Sequence, residues 1–231
     1  MKLKSQWGDH KIYLYDTNKH PFRDFFENLF DETNLDMLHL KSSDYMNAKD
    51  MLEMGHLNDR DTDLHKIFYN NIKKSNVFRT LYCNFIKGIH SRFFNDQEFL
   101  IYQSYPSIRI QYMKSKTIPP HKDSDSLSNH PIGEKNFIIP ITTMKNTNSL
   151  YIESTPDKKD FKSIELHNGE LFYFNGNTCT HYNQQNLENK LRISLDFRII
   201  LKKDYIKYLN KNDILKSNPR DIFWNRPPKL M

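Results

Sequence analysis

The chain holds only two cysteines, Cys83 and Cys179, in 231 residues. Two thiols cannot build a disulfide framework, so reduced thiols and a cytoplasmic location are expected. No apolar run approaches the ~18–20 residues needed to span a bilayer, which excludes a transmembrane helix. The opening MKLKSQWGDHKIYLYD is basic but has no apolar segment behind it, so no secretory signal is expected. Internal repeats and low-complexity tracts are lacking. So is any dense block of Lys or Arg: the net charge of +6 and pI near 9.1 come from scattered residues. Scattered charge reads as a solvated basic surface, and no nucleic-acid or membrane partner is expected.

Aromatic residues are abundant, with 16 Phe and 13 Tyr. They supply enough apolar area for a sizeable core and exclude a disordered chain. At roughly 150 residues per domain, the length fits one domain with an extension. Residues 1–95 read as mostly helical. Pro21 precedes Phe22, Phe25, Phe26, Leu29 and Phe30, which share a helix face. Leu64, Ile67, Phe68 and Ile72 form a second stripe. Ser75, a suitable N-cap, precedes a third that runs from Val77 through Tyr82 and Phe85 to Ile89.

From about residue 98 the pattern turns to short β-rich runs. Strands are expected at 98–104, 107–113, 137–142, 149–153, 162–167, 170–175 and 191–200, with Asn168-Gly169 as a hairpin turn between two of them. The fold class is therefore mainly β with flanking helices, a sandwich or barrel and not a βαβ sheet. The β core spans 96–201, and residues 202–231 are a polar, basic extension ending near Arg226-Pro227-Pro228.

Three features carry chemistry. His121-Lys122-Asp123 follows Pro119-Pro120, and in an extended segment residues two apart face the same way. An imidazole beside a carboxylate is two thirds of a facial Fe(II) site. With 10 His and 19 Asp in the chain, about 0.8 such tripeptides arise by chance, so this one decides nothing alone. His181, sixty residues on, leaves room for four intervening strands and is the candidate third ligand. His130 and His167 read as surface residues. Last, Arg192-Ile-Ser-Leu-Asp-Phe-Arg-Ile199 alternates strictly, which puts Arg192 and Ser194 on one face. A guanidinium fork beside a hydroxyl suits a carboxylate.

In this order and spacing, His121-x-Asp123, His181 and Arg192-x-Ser194 resemble the Fe(II)- and 2-oxoglutarate-dependent oxygenases over roughly residues 100–200. The stretches Ser107–Tyr112, Asn148–Ser154 and Arg192–Arg198 are similar, more narrowly, to the StrG-like oxygenases. The resemblance implies a double-stranded β-helix (jelly-roll, cupin-like) core. It implies His121, Asp123 and His181 as iron ligands, and Arg192 and Ser194 as the grip on the distal carboxylate of 2-oxoglutarate. The implied reaction consumes O2 and 2-oxoglutarate, releases succinate and CO2, and hydroxylates a small polar metabolite. Desaturation or ring closure would use the same site.

Arg109, Gln111, Asn136, Glu153, Asn183 and Arg198 are the candidate substrate contacts. The pair Arg192-x5-Arg198 is also similar to AlkB-type nucleic-acid dealkylases, so an oxygenase of nucleic acid or protein side chains is the alternative. A cupin-like binding module without turnover, or a zinc hydrolase, are readings of other classes. The complete ligand set speaks against the first, and the Arg-x-Ser strand has no task in the second.

Overall fold

The computed structural model describes residues 1–47, 62–94, 99–115, 118–125, 130–212 and 224–225. In chain order these form β1 (Lys2–Trp7), β2 (His10–Leu14), α1 (Phe22–Phe30), a 3-10 helix (Leu35–Lys41), α2 (Ser43–Asn47), α3 (Asp63–Ile72) and α4 (Asn76–Phe93). Then follow β3 (Leu100–Gln103), β4 (Ser107–Gln111), β5 (Lys135–Pro140), β6 (Leu150–Ile152), β7 (Lys162–Ser163), β8 (Glu170–Phe174), β9 (His181–Asn183) and β10 (Arg192–Leu201). The elements close with α5 (Lys202–Asn212) and β11 (Trp224–Asn225).

The strands make two antiparallel sheets. The larger has the order β1-β2-β8-β5-β10-β3-β11, with β4 also on β10, and the smaller has the order β7-β6-β9. The architecture is thus mainly antiparallel β with flanking helices. Among the described residues, no helix is long and apolar enough to cross a membrane.

β10 organises the whole. Its alternate residues Ile193, Leu195, Phe197 and Ile199 join Phe137 and Ile139 of β5, Ile108 and Ile110 of β4, and the helical stripes in one core. Phe197 pairs in register with Phe137 and stacks on it at 5.3 Å between ring centroids. Tyr82 of α4 meets the same ring edge-on at 5.6 Å. The opposite faces of β5, β6 and β8 form a second core between the sheets, with Ile138, Leu150, Ile152, Phe172 and Phe174. Helix starts follow the sequence signals: Ser75 caps α4 by accepting from the Phe78 N–H at 3.1 Å, and Pro21 stands just before α1.

Within residues 1–95, read as mostly helical, β1 and β2 form a hairpin ahead of the helices and join the sheet edge through β2 and β8. The signal was Trp7-Gly8-Asp9-His10, a two-residue loop with glycine first. Gly8 sits at φ +57°, and a Cβ there would run into the Ser154 carbonyl. Conversely, Asn168-Gly169 is a turn with Gly169 at φ +88° but not a hairpin, since β7 pairs β6 while β8 pairs β2 and β5. The chain changes sheets there, and the turn residues alone do not encode the partner. The C-terminal extension supplies α5 and a strand, β11, that pairs β3. Arg226-Pro227-Pro228 lies outside the described residues.

His65 on α3 is buried, with Thr62 Oγ1 against its Nδ1 at 2.5 Å. Burial, with help from the Arg109 charge, pushes its imidazole down to about 4. Between pH 6.5 and about 4 the unfolded chain therefore binds this proton and the folded chain does not, so stability falls on acidification across that window and no further below it. A His65→Gln variant is expected to show a shallower pH dependence of urea unfolding there, by up to ~1.4 kcal/mol per pH unit. Superimposable curves for the two proteins would show that His65 is protonated as easily folded as unfolded.

Candidate metal centre

His121 and His181 face each other across an isolated antiparallel bridge. The His121 N–H donates to the His181 carbonyl at 3.1 Å, and the His181 N–H donates back at 3.0 Å. Asp123, two residues along, donates its N–H to the Gly176 carbonyl at 2.9 Å. A short loop is thereby stitched to β9 and to the turn after β8. The ligand-type atoms of His121, Asp123 and His181 all lie within 4.8 Å of one another. Asp123 Oδ1 is 3.4 Å from His121 Nε2 and 3.9 Å from His181 Nε2. Three ligands held about 2.1 Å from one ion at right angles stand about 3 Å apart, so the cluster is slightly more open than a filled site.

The other atoms of the three side chains are held from behind. His121 Nδ1 donates to the Pro119 carbonyl at 2.8 Å, and His181 Nδ1 donates to the Cys179 carbonyl at 3.1 Å. Carbonyls only accept, so Nδ1 carries the hydrogen in both rings and each Nε2 turns its lone pair toward the cluster. Asp123 Oδ2 accepts from Asn136 Nδ2 at 2.6 Å, from Arg198 Nη2 at 3.2 Å and from Arg198 Nε at 3.3 Å. Oδ1 faces the two imidazoles and accepts a longer contact from Arg198 Nη2 at 3.5 Å.

The charges follow. Burial opposes ionisation of Asp123, but Arg198 and the His121 contact hold its carboxyl well below the usual carboxylate range. Burial pushes the fully enclosed His181 down to about 4 against the pull of Asp123. At His121 burial also acts downward, yet Asp123 and the Pro119 carbonyl outweigh it and raise the imidazole.

A cavity opens beside the cluster. Ile118, Ile138, Leu150 and Phe174 give it apolar walls, and Arg109, Asn136, Asp196 and Arg198 line its polar side. Arg109 Nε donates to Asp196 Oδ2 at 3.2 Å. Asn136 is buried, and among the described residues its Oδ1 has no hydrogen-bond partner. The polar face of β10 points between the sheets, not into water. Arg192 is completely buried and donates to Ser194 Oγ and to the Asn148 carbonyl at 3.4 Å each. Arg192 and Ser194 are thus side by side, deeper than the residues that line the cavity.

Of the candidate substrate contacts, Arg109 and Asn136 reach the cavity and three do not. Gln111 is buried with its Nε2 on the carbonyls of Ser115 and Gln184. Glu153 accepts the backbone N–H groups of Thr180 and Lys159, and so ties the turn before His181. Asn183 Nδ2 is bonded to the Ser149 carbonyl across β6 and β9. All three brace backbone. Arg198 lines the cavity, but its guanidinium is committed to Asp123. His130 is not a surface residue either: it is half-buried, with Nδ1 3.0 Å from Glu134 Oε1. Spacing in sequence does not reveal these partners. His167, by contrast, is exposed beside Glu165.

No family model matches the chain. The streptomycin biosynthesis protein StrG of Streptomyces griseus is 26% identical over 193 residues, 83% of this chain and 84% of that protein. Among solved structures, the non-heme alpha-ketoglutarate-dependent carbocyclase SnoK from nogalamycin biosynthesis is 14% identical, with a TM-score of 0.49 over 84% of this chain and 79% of that one. The non-heme monooxygenase ThoJ, as its nickel complex, is 11% identical, with a TM-score of 0.38 over 55% of this chain and 54% of that one.

Gly176 fixes the spacing behind the cluster. A Cβ there would stand 2.7 Å from Phe174 Cε2 and 3.1 Å from Asn136 Cγ, closer than packed atoms allow. Gly176→Ala is expected to push Asn136 off Asp123 and to lower the melting temperature by several degrees. An unchanged melting curve would mean that Phe174 and Asn136 yield without cost.

Proposed function

We propose that the chain is a non-haem iron oxygenase that consumes 2-oxoglutarate and hydroxylates a small polar metabolite. The observation that carries this reading is the convergence of two Nε2 lone pairs and one carboxylate oxygen, each with its remaining polar atoms already bonded. Two imidazoles and one carboxylate on one face are the donor set of mononuclear non-haem Fe(II). Zinc would accept the same donors, but the buried Arg192 and Ser194 would then serve nothing. A protein of streptomycin biosynthesis as a relative over most of the chain supports a small polar metabolite as substrate.

In this reading His121, Asp123 and His181 hold Fe(II), and Arg192 with Ser194 grips the distal carboxylate of 2-oxoglutarate. When bound, iron with 2-oxoglutarate and O2 supplies an oxidant for a C–H bond, and succinate and CO2 leave as products. The chain's own residues do the rest. The carbonyls of Pro119 and Cys179 keep both imidazoles in the metal-binding tautomer. Ile118, Leu150 and Phe174 give the cluster apolar walls, while the Arg109–Asp196 ion pair and Asn136 Oδ1, unbonded among the described residues, present polar groups to a substrate. Arg198 is reassigned from substrate contact to holding Asp123.

His181→Ala is expected to abolish turnover and lower bound iron while the protein stays folded; full iron occupancy with full activity would sink the ligand assignment. Arg192→Ala should raise the 2-oxoglutarate requirement by about 30-fold or more, since breaking a buried bidentate Arg–carboxylate contact costs ~2–5 kcal/mol. An unchanged requirement would take the cosubstrate away from Arg192. Amino acids, sugars and aminocyclitols, screened beside methylated oligonucleotides, should be the compounds that stimulate succinate formation. Demethylation of an oligonucleotide with no metabolite response would favour the nucleic-acid alternative.

A further inference from the structure

Behind Asp123 and Arg198 lies a second buried carboxylate, Glu134, that the proposed chemistry does not use. Arg198 Nε is 3.0 Å from Glu134 Oε1 as well as 3.3 Å from Asp123 Oδ2. The Glu134 side chain has no exposure at all, and Asp123 and Arg198 side chains are 2% and 14% exposed. His130 Nδ1 closes the row at 3.0 and 3.1 Å from the two Glu134 oxygens. The geometry could also be taken for a second metal site, because Asp123, His130 and Glu134 offer clustered ligand atoms. Arg198 argues against it: its guanidinium already bridges the two carboxylates.

We propose that Glu134 is a positioning residue for the metal centre, acting through Arg198. A buried guanidinium on Asp123 has two opposed effects. It keeps the carboxylate ionised and turned so that Oδ1 faces the imidazoles, but its charge competes with any cation for the same carboxylate. A second carboxylate at 3.0 Å shares that charge. Glu134 thus lets Arg198 orient Asp123 without neutralising it as a ligand. Burial makes the arrangement consequential, since charges out of water are weakly screened. His130 holds Glu134 in place by hydrogen-bonding both oxygens. The inference rests on the metal reading above and adds a residue that touches none of the three ligand atoms.

The experiment titrates Mn(II) into the full chain and reads bound metal by EPR, for the parent, Glu134→Gln, Arg198→Gln and the double variant, with circular dichroism as the check on folding. Glu134→Gln should weaken Mn(II) binding by about 10-fold or more, the scale of lost support behind a metal ligand. Removing the guanidinium as well should recover part of that loss, so that the double variant binds more tightly than Glu134→Gln. A purely structural Glu134 predicts the opposite, a double variant at least as weak as the single one. Unchanged affinity in Glu134→Gln, or no recovery in the double variant, overturns the proposal. If Glu134→Gln does not fold, Glu134→Asp keeps the charge but withdraws it by one methylene. A smaller loss with the same recovery is then expected, and no loss overturns. Should the parent bind no Mn(II), or bind it undiminished in His181→Ala, the metal reading itself fails; normal parent binding with an unmoved Glu134→Gln removes only Glu134.

Discussion

The constraint from which the rest follows is that β10 is buried on both faces. A strand with one polar face normally turns it to water. Here Ile193, Leu195, Phe197 and Ile199 are needed against the helices, so Arg192, Ser194, Asp196 and Arg198 are forced between the sheets. Polar groups taken out of water cost free energy unless they are bonded. Each of these four has partners: Asn148, Ser194, Arg109, and the carboxylates of Asp123 and Glu134. The register cannot slip, because a one-residue shift would turn the apolar set inward and the charges onto the Phe cluster. The interior row of charge is therefore a consequence of helix packing on the far side of the sheet.

Asp123 is where that row meets the loop carrying His121. One carboxylate oxygen is occupied by Asn136 and Arg198, and the other faces two imidazoles. His121 Nδ1 is fixed on the Pro119 carbonyl, and its Nε2 stands 3.4 Å from Asp123 Oδ1. A divalent cation between the three groups would meet the carboxylate already ionised, so little rearrangement would be needed to bind it. The backbone contributes as much as the side chains: the paired N–H and carbonyl groups of His121 and His181 set the distance between the rings before any ligand is considered.

Much of this was legible in the sequence, and the rest was not for definite reasons. The alternation Arg192 to Ile199 has a period of two, so its faces could be assigned without coordinates. The Phe and Tyr stripes of α1, α3 and α4 have the helical period, and their buried positions match it. His121-x-Asp123 and His181 are meaningful only as a set, and the structure brings that set together. The edge hairpin was missed because its apolar residues are few and a basic, polar strand resembles a loop; Gly8-Asp9 was the readable clue. Gln111, Glu153 and Asn183 looked like binding residues because they are polar on strands. Polar side chains that bond backbone carbonyls and N–H groups have the same signature, and only the partners distinguish them. Glu134 and His130 carry no motif at all, since their role depends on a guanidinium more than sixty residues away.

The two arginines of β10 illustrate why face and spacing must be read together. Arg198 lies six steps along the strand from Arg192, about 20 Å at 3.3 Å per residue. They share a face, yet they cannot serve one small ligand as a pair of equals. Arg198 ends at the cluster, where Asp123 and Glu134 absorb its charge. Arg192 ends in the closed depth between the sheets, beside the Ser194 hydroxyl and the Asn148 carbonyl. The strand itself thus separates the two arginines: one braces the carboxylate of the cluster, and the other is packed away from it between the sheets.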